Sequence, residues 1–163
     1  MRLSITVLLG IVLIVIESSV LSFLPIDFFK PDFGTPLILY ATLFLGPQAG
    51  LLTAILLGLL QEILSNAPPG SILFTKLSLF VITVFLKNKL YIDSKYSFAY
   101  ISSGFVVLES FLFLTLSLLS KGETGNIVNV MLYTIPNAIF TGFLSLFLFT
   151  FIEYIDTKIL GRE

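Results

Sequence analysis

Residues 46–64 read GPQAGLLTAILLGLLQEIL, and this stretch decides the fold class. A Gly-Pro pair opens it, and proline is favoured at the first helical position. Small residues follow at every fourth place, Gly46, Gly50, Ala54 and Gly58, with Glu62 at the next step. Four residues turn ~400°, so the small stripe drifts only ~40° per step around a helix. In lipid such a stripe lets a neighbouring backbone come close. It reads first as internal helix packing, and second as a docking face for another membrane protein. A long apolar run of this kind is a membrane helix.

The rest of the chain agrees. Of 163 residues, 56% are hydrophobic and only 12% charged, against roughly 25% charged in a soluble domain. Mean hydropathy is +1.05. A water-soluble fold of this length could not solvate that surface, so an all-α membrane protein with one domain, 1–163, is expected. The net charge of −1 offers no footprint for nucleic acid. With no Cys and no His, disulfides, thiol nucleophiles, the usual zinc sites and imidazole acid–base chemistry are excluded.

Six apolar segments can be drawn, approximately 3–24, 35–45, 47–64, 71–86, 98–119 and 127–152. The first follows Arg2, lacks the Ala-rich end of a cleaved signal (the first Ala is Ala41) and is about long enough to span, so it is expected to stay as a helix. The second opens with Thr35 as cap and Pro36 behind it. It is short for a span: it either crosses a thinned bilayer or re-enters with the third. Connections are short and polar. Lys and Arg divide six to two between the two sides, with Arg2, Lys87, Lys89, Lys95, Lys158 and Arg162 facing Lys30 and Lys121. The excess places both termini in the cytoplasm.

Ionisable residues inside apolar segments are costly and face the bundle interior or a wet cavity. Here they are Glu17, Glu62, Lys76 and Glu109. Glu62 and Lys76 each stand seven residues from Pro69, so pairing across that hairpin is expected, with Glu17 near the same depth. A structural ion pair is favoured over a proton or ion relay. Glu109 and Asn137 match in depth, with Pro136 freeing a carbonyl beside them. No cation shares that depth, so a neutral Glu109 bonded to Asn137 or to the freed carbonyl is expected; an open, wetted groove is the other reading. Phe23, Phe28, Phe29 and Phe33 cluster at the outer level, where aromatics anchor in the interface. No nucleotide loop, metal-ligand spacing or nucleophile–base pair is present, so no enzyme and no cofactor are expected.

Two motifs carry a resemblance. Lys30-Pro31-Asp32 precedes an apolar run, and Gly50-Leu51-Leu52 leads through Gly58-Leu59-Leu60-Gln61-Glu62-Ile63-Leu64 to Pro69-Gly70. In these, and in its size and loop pattern, the chain resembles the MreD family of rod-shape-determining membrane proteins over nearly its whole length. That family more often has Arg where Lys30 stands and Asp where Glu62 stands. The resemblance implies a non-enzymatic six-helix scaffold of the bacterial inner membrane. It would bind MreC and act with MreB, RodA and a class B penicillin-binding protein in peptidoglycan synthesis. Glu62 and Lys76 would then shape the bundle. The family's fold is similar to the S component of energy-coupling-factor vitamin transporters, which gives the alternative of a substrate-binding S component. S components couple through Ala-x-x-x-Ala in the first helix, and no Ala precedes Ala41 here, although Ser18, Ser19 and Ser22 are small.

Overall fold

The computed structural model describes residues 2–21, 32–65, 69–90, 92–121 and 127–158, and the described residues contain helices and no strands. They are α1 (Arg2–Leu21), α2 (Gly34–Tyr40, continued by a π-helical turn Ala41–Leu45), α3 (Pro47–Leu64), α4 (Ser71–Leu86), α5 (Lys95–Lys121) and α6 (Ile127–Lys158). Three carry stretches long and apolar enough to cross a membrane: Pro47–Leu64, Lys95–Leu116 and Met131–Ile155. Shorter apolar stretches lie in α1, in α2 with its π turn, and in α4. The chain is a membrane protein on this ground.

The second segment is the element that organises the others. Its 12 residues, Gly34–Leu45, make only ~18 Å of helix. Every residue from Gly34 to Thr42 is buried. The helix is in contact with α1, α3, α4, α5 and α6, so it forms the axis of the bundle rather than part of its wall. Around it α1 packs on α3, α3 on α4, α4 on α5 and α5 on α6. Leu37, Ile38 and Leu39 fill the centre with Ile14, Leu57 and Leu79. Below them Tyr40 and Phe44 stack at 4.9 Å, and Phe98 meets Phe149 at 5.2 Å. Large apolar side chains point outward instead, among them Phe85, Phe111 and Phe147.

Close approach decides this packing, since lipid gives apolar faces no reason to leave it. The small stripe of α3 faces inward. Ala54 is fully buried, Gly50 lies against Thr42, and Gly58 lies against Leu73 and the Lys76 stem. Gly46, at φ +108°, turns the chain from the π turn into α3, a conformation that favours glycine. Buried threonines cost little, because Thr42, Thr53, Thr75 and Thr83 each donate to the carbonyl four residues earlier.

Two expectations are corrected here. Thr35 is not the cap of α2. The helix begins at Gly34, and Asp32 accepts the N–H groups of Gly34 (2.9 Å) and Thr35 (3.1 Å). Pro36 falls in the first turn, where no intrahelical donor is missed. α5 also starts three residues earlier than its apolar run, and α6 continues through Pro136 to Lys158. Backbone hydrogen bonding extends past the apolar stretch into residues that a hydropathy reading assigns to the connections.

Candidate functional site

The charged residues of the interior gather in one place. Lys76 is 1% exposed, and its ammonium pairs with Asp32 and with Glu109 Oε1 (2.6 Å). It also donates to Thr35 Oγ1 (2.9 Å), whose own hydroxyl donates to Glu109 Oε2 (2.5 Å). The three donors of the ammonium are thus all used. Asp32 accepts a further bond from Gln61 Nε2 (2.8 Å), and its backbone N–H donates to Thr141 Oγ1 (3.1 Å). Next to it the Phe33 N–H donates to Glu17 Oε2 (3.3 Å). The cluster therefore draws Glu17 from α1, Thr35 from α2, Gln61 from α3, Lys76 from α4, Glu109 from α5 and Thr141 from α6. Asp32 joins them from the connection ahead of α2.

Each placement has a local cause. The missing side chain at Gly34 leaves room: a Cβ there would stand 3.1 Å from Asp32 Oδ1 and 3.2 Å from the Gln61 amide. Gly58 admits the Lys76 stem, with its own notional Cβ 3.4 Å from Lys76 Cβ. Burial alone would raise the pKa of Asp32. The Lys76 ammonium and hydrogen bonds from Glu109, Lys76 and Thr35 outweigh that, and hold the carboxyl below the ordinary carboxylate range. A second lysine, Lys87 just past the end of α4, holds the other end of the axial helix, as its Nζ reaches the Thr42 carbonyl in the π turn (3.4 Å).

Of the residues singled out in the sequence, Glu17, Lys76 and Glu109 come together, and Asp32 of the outer-loop motif joins them. Lys30 and Pro31 lie outside the described residues, as do Phe23, Phe28 and Phe29. The expected Glu62–Lys76 pair does not form. Glu62 instead accepts the N–H groups of Gly70 and of Leu73 (3.0 Å), satisfying donors that the start of α4 leaves open. Glu109 is not the isolated carboxyl expected. Lys76 reaches it across the bundle, because the long stem carries the charge away from the depth of its own Cα. Asn137 is half-buried on α6. Gln61 and Thr141 were not anticipated, and Thr35 was read only as a cap. Gln61 adjoins Glu62 in the Gly-rich stretch, which is the one signal that could have found it.

The arrangement can hold charge and fix helices. Among the described residues no three carboxylates are placed to hold a metal ion. No family profile, curated protein or solved structure matches the chain. The class defined by fold and site is an all-helical membrane protein with a short axial helix locked by a buried ionic cluster.

Proposed function

We propose that the chain is a non-catalytic scaffold of the MreD kind. On this reading it crosses the bacterial inner membrane six times, binds MreC, and helps organise peptidoglycan synthesis together with MreB, RodA and a class B penicillin-binding protein. One observation carries the reading. Asp32, the described residue of the first stretch that resembles a family motif, meets the second stretch, 50–64, in space although the two are far apart in sequence. Asp32 of the first accepts from Gln61 of the second, and Gly58 seats the Lys76 that pairs with Asp32. A fold that depends on that junction would retain both motifs together.

Co-purification with MreC from detergent-solubilised membranes is the test. Stoichiometric retention of MreC is expected. Loss of MreC together with tight retention of a vitamin-like ligand would replace this reading with the S-component alternative.

The scaffold reading also fixes an orientation. With both termini and the 87–97 connection cytoplasmic, six of the basic residues outside the interior lie on that side. A cysteine introduced by Lys89→Cys is expected to resist membrane-impermeant maleimide in intact cells and to react after permeabilisation. Labelling in intact cells would reverse the topology.

A further inference from the structure

Charge counting around Lys76 leaves the site unbalanced. Asp32 and Glu109 both pair with one ammonium, and Glu17 adds a third carboxyl at the adjoining Phe33 N–H. The other elements packed on the cluster add no charge to it: α3 supplies the neutral Gln61 and α6 the neutral Thr141. Glu62, the charged neighbour on α3, is engaged with the start of α4. Fully ionised, the group would carry a net charge of −2. An uncompensated charge away from water is strongly unfavourable, even after relaxation. The cluster is also rich in acceptors. Gln61 Oε1 is itself inaccessible and has no hydrogen-bond partner among the described residues, although the same amide donates to Asp32 at 2.8 Å. It lies beside Asp32 Oδ1 over the open floor left by Gly34.

We propose that this cluster is a proton-binding site, in which one exchangeable proton is held among the carboxyls of Glu17, Asp32 and Glu109 and relieves their surplus of negative charge. A proton fits better than a metal ion, since no three carboxylates here have the spacing of a metal site. The proton neutralises part of the surplus charge. Its loss leaves like charges facing each other across the N-terminal end of α2, which is the junction of α1, α4 and α5. The inference rests on the cluster geometry alone and is independent of MreC binding.

The purified full-length protein, in detergent or in nanodiscs, decides the matter by infrared spectroscopy across a pH series. A protonated-carboxyl carbonyl band is expected at neutral pH, shifting in heavy water and disappearing in one step on alkalinisation. The thermal midpoint should fall as pH rises above the ordinary carboxyl range and level off once the band has gone, because between those limits the folded state holds a proton that the unfolded state has released. Glu17→Gln and Glu109→Gln should each weaken the band and flatten the thermal pH profile. The wild-type titration stands by itself if either variant fails to fold. Absence of the band at neutral pH overturns the proposal, as does a band unchanged by both substitutions. A missing band combined with stabilisation by sodium but not potassium assigns the site to a metal cation instead, and equally overturns it.

Discussion

Lys76→Met is expected to unfold this protein more readily than any other single substitution, at a cost of about 3–5 kcal/mol. Methionine keeps much of the stem volume and removes only the ammonium. Asp32 and Glu109 then face each other with no cation, in an interior where Lys76 is 1% and their side chains 14% and 18% exposed. Thr35 also loses a donor. Equilibrium unfolding of the purified chain in a mixed detergent series measures the loss. The double variant Lys76→Met with Asp32→Asn should recover part of it, since coupling between contacting charges is what such a cycle isolates. A Lys76→Met protein within about 0.5 kcal/mol of the parent, the range of an ordinary surface change, would show that the cluster does not hold the fold.

Gly50→Ala is expected to come second. The added Cβ would stand 2.8 Å from Thr42 Cα, and closer still to the Thr42 hydroxyl. The hydroxyl can be deleted, but the Cα belongs to the backbone of the π turn. α3 and the axial helix must therefore separate, at about 1–3 kcal/mol or more. Adding Thr42→Ala should leave most of the defect in place, because the backbone clash remains. Gly104→Ala is the control: nothing lies within 4 Å of a Cβ there, so the change should be neutral or slightly stabilising through helix propensity. The same unfolding assay compares all three. Equal midpoints for the Gly50 and Gly104 variants would mean that the α2–α3 contact is loose enough to yield.

The helices themselves were legible because hydropathy reports which residues can meet lipid, and the turns at Gly46 and Gly70 were written in glycine and proline. The close packing of the Gly50–Gly58 stripe was legible too, as the first of its two readings, because small residues at that spacing let a neighbouring backbone approach. The partners of Lys76 were not. Counting residues from Pro69 places a Cα at a depth, and assumes that connections lie outside the membrane level. Asp32 breaks that assumption by sitting in a connection yet entering the interior to hold the start of α2. The brevity of α2 was readable, whereas its position on the axis was not, since nothing local distinguishes a helix covered by protein from one covered by lipid. The partner of Glu62 was not legible either, because the open N–H groups at the start of α4 compete for it at shorter range than the lysine.

The axial position of α2 has a consequence for biogenesis. Ribosomes deliver this helix after α1 but before the other four helices that will surround it. At ~18 Å it is too short to bridge ~30 Å of hydrocarbon unaided. Its shelter is completed by residues that are synthesised much later: Thr35 waits for Glu109, 74 positions on, and Asp32 for Thr141, 109 positions on. The helix made second is thus the last to be housed, and the lysine on α4 arrives between its two sets of partners. A nascent chain truncated before α5 would hold Asp32 and Lys76 but not Glu109, and its α2 would lack the cover that α5 and α6 give it in the finished fold.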